Sequence, residues 1–183
     1  MVTSQQITPG MTLSVNGNLY RVDSAIKVTM AKGQPFIKTK LRSLRDEKPL
    51  EKNFKVGQEV DEVSLQERRL EYLYLEGKEY LFLDIDSLDQ VLVVPDVVGE
   101  KIHFLKEGTD IQAIFYGETI FSIELPQFLE LMVAKADEVE ANLANITKKA
   151  VLETGATIEV PPFIEAGDVI KVDTRSHEYI QRV

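Results

Sequence analysis

At 183 residues, with 44% hydrophobic and 28% charged, the chain has an ordinary globular makeup, which excludes disordered and fibrous classes and admits one large domain or two to three small ones. Cysteine is absent, which excludes disulfides, thiolate metal sites and a cysteine nucleophile. The start MVTSQQITPG lacks a basic and apolar leader, and no run of about eighteen apolar residues is present, so a cytoplasmic protein without a membrane partner is expected.

Strand signals dominate the first third. Leu13 and Val15, then Asn16-Gly17, then Leu19 and Val22 predict a hairpin, because Asn and Gly tolerate the positive φ of a two-residue turn. Residues 36–41 predict a returning strand. Between them residues 27–35, KVTMAKGQP, predict a protruding loop with Ala31, Lys32 and Gly33 at its tip.

The net charge of −9 argues against a phosphate-binding partner only as an average. Residues 1–62 hold ten Lys and Arg against seven acids, residues 63–126 five against thirteen, and residues 127–183 six against ten. Residues 24–45 carry Lys27, Lys32, Lys38, Lys40, Arg42 and Arg45 with no acid. That stretch reads either as a solvated strand face or as a finger for RNA.

The middle of the chain predicts a hairpin from residues 70–75 and 80–83 around Gly77, and another from residues 111–116 and 119–123 around Gly117. Asp96 could cap a short helix carrying Val97, Val98, Ile102 and Leu105. Strands with one short helix predict a small barrel. Residues 123–130 and 158–165 match at five of eight positions, an echo that suggests related β units. Between the copies, residues 137–149 predict a short helix or ordered loop, with Asp137 and Glu140 as a capping box. The charge shift and Pro126 put domain boundaries at 1–62, 63–126 and 127–183.

Catalytic patterns are missing. The histidines His103 and His177 lie far apart in sequence without close His or Cys companions, so no metal is expected. Phosphate-binding glycine loops and the nucleophile elbow are absent too. Acids at Glu76, Glu79, Asp84, Asp86 and Asp89 surround a hairpin and read as a solvated face rather than a glycosidase pair. Neither an enzyme nor a cofactor is expected. The basic finger remains, with Lys32 between small neighbours that would let it enter a narrow anionic cleft.

Residues 32–41 and 51–55, residues 70–74, and the run from Lys149-Ala150 through Gly155, Pro161, Phe163 and residues 167–175 to Glu178-Tyr179 and Arg182-Val183 together resemble bacterial translation elongation factor P over essentially the whole chain. The resemblance implies an all-β, L-shaped, tRNA-like arrangement of three barrels, the first KOW-like and the others OB folds. It implies a monomeric factor that binds the ribosome, through rRNA and ribosomal proteins, between the P and E sites. There it positions peptidyl-tRNA for peptide-bond formation and relieves stalling at consecutive prolines. Lys32 matches the tip position, the target of a lysine-modifying enzyme, flanked by Ala31 and Gly33. Lys27, Lys38, Lys40, Arg42, Arg175, Tyr179 and Arg182 become RNA-contact candidates. Many members carry Pro-Gly before the tip lysine, where this chain has Met30-Ala31, and residues 137–149 lack the glycines of a loop associated with the E-site codon. An elongation factor P-like paralogue and a generic OB-fold nucleic-acid module are the alternative readings.

Overall fold

The computed structural model describes residues 1–138 and 146–183, and they divide into two compact units, residues 1–65 and 66–183. Unit one is a single six-stranded antiparallel sheet of β1 (Val2–Thr3), β2 (Thr12–Val15), β3 (Asn18–Val28), β4 (Phe36–Ser43), β5 (Pro49–Lys55) and β6 (Glu59–Glu62), in the order β1-β6-β2-β3-β4-β5. The expected Asn-Gly hairpin joins β2 to β3, with Asn16 at φ 51° and Gly17 at φ 78°. Alternation along β4 sends Ile37, Thr39 and Leu41 inward and Lys38 and Lys40 outward. The core gathers Leu13, Val22, Leu41 and Phe54, and the buried Thr39 hydroxyl donates to the Lys52 carbonyl at 2.7 Å.

Unit two holds two five-stranded sheets. The middle one comprises β7 (Gln66–Glu76), β8 (Glu79–Asp84), β9 (Gln90–Val93), β10 (Asp110–Tyr116) and β11 (Thr119–Glu124), ordered β11-β10-β7-β8-β9. The C-terminal one comprises β12 (Phe128–Ala136), β13 (Lys148–Leu152), β14 (Thr157–Val160), β15 (Val169–Asp173) and β16 (Glu178–Arg182), ordered β14-β13-β12-β15-β16. In both, the first strand is central, with the second and third on one side and the fourth and fifth on the other. Bulges at Tyr72/Tyr74, Ile114/Phe115, Val133/Lys135 and Lys171/Val172 add the twist that curls each sheet. An all-β chain of three small modules is the fold.

The repeat is therefore real, but the echoed residues do not mark it. Ile123 lies in the fifth strand of one sheet and Ile158 in the third strand of the other, so the match reflects similar strand ends closed by Pro126 and Pro161. Helix α1 spans only Pro95–Val98 and continues as a 3-10 turn over Gly99–Phe104. Its cap is Val94 rather than Asp96, because Pro95 takes the first helical position, and Gly99 at φ 55° ends it. The finger's loop begins at Thr29, since Lys27 and Val28 pair with Ile37 and Phe36 as part of β3. Of the predicted segment 137–149, residues 139–145 lie outside the described residues, whereas Lys148 and Lys149 are strand, paired with Val160 and Glu159. No helix among the described residues is long and apolar enough to cross a membrane.

Candidate functional site

Strands β3 and β4 form the longest hairpin of unit one, and their connection, residues 29–35, carries Lys32 at its exposed tip. Gly33 has φ 125°, a backbone conformation that any side chain would strain, and the Met30 sulfur lies 4.0 Å from where its Cβ would stand. Glycine is required there for the chain to turn back. Ala31 and Gly33 leave the lysine unobstructed, and among the described residues no acid pairs with it.

Register separates the other cations of the finger. Ile26, Lys38 and Asn53 form one row, Ser24, Lys40 and Glu51 the next, and Arg21, Arg42 and Pro49 a third, all on the outward face. Lys27 stands opposite the buried Ile37, on the other face, and is itself exposed. Arg42 Nε donates to Asp23 Oδ2 at 3.1 Å, its Nη2 stands 3.1 Å from the same oxygen as an ion pair, and Lys38 lies 3.9 Å from Glu51. Such exposed pairs contribute about 0–1 kcal/mol and open readily to a phosphate. Lys27, Lys32 and Lys40 have no ion partner among the described residues. Sequence reasoning missed Asp23 as Arg42's partner, just outside the acid-free stretch, and missed Ile26, an apolar side chain 61% exposed amid the cations.

The C-terminal candidates do not form one patch. Arg175 sits in the tight turn between β15 and β16, which Asp173 caps by accepting the N–H groups of Arg175 at 2.8 Å and Ser176 at 3.1 Å. Arg175 lines a cavity of about 420 Å³ with Arg69, Asp110 and Gln127. Tyr179 packs partly into the C-terminal core. Arg182 lies at the opposite end of the β15–β16 hairpin, 5.6 Å over the exposed Phe163 ring and 3.9 Å from Asp168. Among the described residues no cluster could hold a metal ion.

Two carboxylates in this unit are held toward their charged form. The Ser176 and Arg175 N–H groups hold Asp173 below its ordinary pKa. For Glu153, burial pushes upward, but the Met132 N–H and Lys106 outweigh it and the net direction is down. A carboxylate whose folded pKa is depressed stabilises above its unfolded value, and that contribution is lost as pH falls through the folded pKa. Melting temperature should thus hold from neutral pH to about 5 and decline from about 4 downward. Asp173→Asn should flatten the decline, and a variant with the native pH profile would remove Asp173 from this account.

Residues 3–60 match the Elongation factor P (EF-P) KOW-like domain, residues 65–123 the Elongation factor P (EF-P) OB domain, and residues 129–182 Elongation factor P, C-terminal. Elongation factor P 1 of Protochlamydia amoebophila is 64% identical over 184 residues, covering both chains completely. Elongation factor P 1 of Chlamydia trachomatis is 49% identical, again with full coverage of both. Elongation factor P of Natranaerobius thermophilus is 41% identical over all of this chain and 98% of its own. A translation initiation factor eif-5a family protein from Naegleria fowleri shares the fold over 68% of this chain and 96% of its own, with TM-score 0.54 and 8% identity.

An elongation factor P KOW-like module, its OB module and its C-terminal module in succession, with a basic hairpin in the first, define a translation factor by class. The chain belongs to the elongation factor P family, and it is a translation elongation factor.

Proposed function

We propose that the protein binds the ribosome between the P and E sites, directs Lys32 toward the acceptor end of P-site peptidyl-tRNA, and accelerates peptide-bond formation at consecutive prolines. The observation that carries this reading is Lys32 itself, an exposed cation without an ion partner among the described residues, held at the tip of the longest hairpin of unit one by a glycine at φ 125°. Proline is a conformationally restricted substrate, and a misplaced peptidyl-tRNA end slows bond formation. Holding that end in reactive geometry lowers the barrier without proton transfer by the factor, and each tenfold gain needs about 1.4 kcal/mol. The protein is accordingly not an enzyme, and the catalyst is the ribosome. It acts as a cytoplasmic monomer without a cofactor. Lys32 is the target of a lysine-modifying enzyme, since its amine is accessible and flanked by Ala31 and Gly33. Lys40, Lys38 and Arg42 supply phosphate contacts along the outward face of the hairpin, with Lys27 on the other.

The test is the rate through a Pro-Pro-Pro message in purified translation, with and without the protein, against a proline-free message. Acceleration restricted to the proline message supports the reading, and equal rates with and without the factor overturn it. Arg182 provides a separate check at the other end of the chain. Its guanidinium and Phe163 are exposed and its pair with the half-buried Asp168 is long at 3.9 Å, so Arg182→Glu, which trades that pair for a like-charge contact, should cost no more than about 1 kcal/mol. Ribosome affinity at moderate salt should drop several-fold, because a phosphate contact becomes a repulsion. Unchanged affinity would exclude Arg182 from the interface.

A further inference from the structure

The connection between β9 and β10 contains two adjacent residues that enter different cores. Leu105 is buried in the core of the middle sheet with Leu70, Phe82 and Val98. Phe104, the residue before it, is buried among Leu131, Val133, Ile158 and Ile170 of the C-terminal sheet, and its ring stands 4.8 Å from that of His177. A ring supplied by one module thus completes the core of the next. Polar contacts surround the plug. The Thr154 hydroxyl donates to the His103 carbonyl, and Lys106 lies 3.1 Å from Glu153, whose carboxylate also accepts the Met132 N–H at 2.9 Å.

The covalent crossing from β11 to β12 is held as well. Leu125 packs against both cores. The Thr174 hydroxyl donates to the Pro126 carbonyl at 2.6 Å, and the Gln127 side-chain amide donates to Asp173 at 3.2 Å. Those contacts fix the chain at one point only, about which a sheet could still rotate. Phe104 supplies a second, distant in sequence, and together with the Thr154–His103 and Lys106–Glu153 contacts beside it restricts that rotation.

We propose that Phe104 is a positioning residue that locks the middle and C-terminal sheets into one body, so that contacts made by the C-terminal sheet reach the ribosome at a fixed separation from those of the middle sheet. This rests on the ribosome-binding reading above. A partner that engages two contact sets joined by a loose junction must order that junction on binding, and the affinity falls by that cost. A preformed lock removes the cost before the encounter. Phe104 touches no reacting group, and its effect is on how tightly the factor is held rather than on how fast the ribosome reacts once Lys32 is in place.

The experiment uses the full chain in three forms, native, Phe104→Leu and Phe104→Ala. Amide relaxation should give one rotational correlation time for residues of β7 to β11 and β12 to β16 in the native protein, and separate, shorter times in Phe104→Ala. In Pro-Pro-Pro synthesis the concentration for half-maximal stimulation should rise by about tenfold in Phe104→Ala and by about threefold in Phe104→Leu, which keeps part of the apolar volume. The maximal rate should stay native, because Lys32 is untouched. If Phe104→Ala does not fold, Phe104→Leu decides alone, and native half-saturation in that variant overturns the proposal. Separate correlation times in the native chain, or a loss confined to the maximal rate, also overturn it. If the native factor fails to accelerate Pro-Pro-Pro synthesis, the functional reading falls, while relaxation, which needs no ribosome, still decides the lock.

Discussion

Lys32→Ala should melt at the native temperature and bind ribosomes, yet fail to accelerate synthesis through Pro-Pro-Pro. The side chain stands free at the tip of residues 29–35 with no core to pack against, so its loss should change stability by less than about 0.5 kcal/mol. Binding should persist because the outward cations Lys38, Lys40 and Arg42 and the whole of residues 66–183 are unaltered. Stimulation should disappear because the lysine contributes positioning at the transition state rather than ground-state affinity. The paired readout is ribosome affinity and proline-specific rate on the same preparations. An alanine variant as active as the native protein would remove Lys32 from the mechanism, and a variant that no longer binds would make it an affinity residue instead.

The largest stability loss should come from Phe82→Ala. Phe82 is fully buried in β8, at the centre of the middle sheet's core, with its ring 5.3 Å from Tyr72 and tilted by 52°. Truncating a buried phenylalanine typically costs about 3–5 kcal/mol in lost transfer energy and residual cavity. Against a total of about 5–15 kcal/mol for a natural domain, that is a large fraction. The unfolding midpoint should fall by roughly 10 °C, and urea unfolding should report the same loss. A loss below about 1 kcal/mol would mean that the core collapses around the gap. Activity measured well below the midpoint should be preserved, since Phe82 touches none of the candidate contacts, and this separates it from Lys32→Ala.

Hairpins were the most legible part of the fold. Asn16-Gly17, Gly77 and Gly117 each stand at a turn with positive φ, and alternation on either side predicts the strands. The signal is local, because a turn's requirement for positive φ is met by the residue that occupies it. The segment after Val94 was harder to read. Apolar spacing through Val97, Val98, Ile102 and Leu105 resembles one helical face, but Pro95 and Gly99 confine the helix to four residues and the rest becomes a 3-10 turn. The echo of residues 123–130 in 158–165 points to related β units, which the shared strand order bears out, but not to equivalent strands, since strand ends closed by proline look alike wherever they fall in that order.

By itself the sequence determined the all-β class, the hairpin positions, the finger with Lys32 at its tip and the family, since each depends on residues close together in the chain or on motifs long enough to exclude coincidence. Only the tertiary structure decided how the finger's cations divide. A bulge between Val22 and Ser24 and the pairing of β3 with β4 place Lys38, Lys40 and Arg42 on one face and Lys27 on the other. It also decided that Phe104 and Leu105, neighbours in sequence, serve two different cores. Both outcomes depend on which strand lies beside which, and that is set by burial across the whole fold, a long-range quantity that local pattern does not encode.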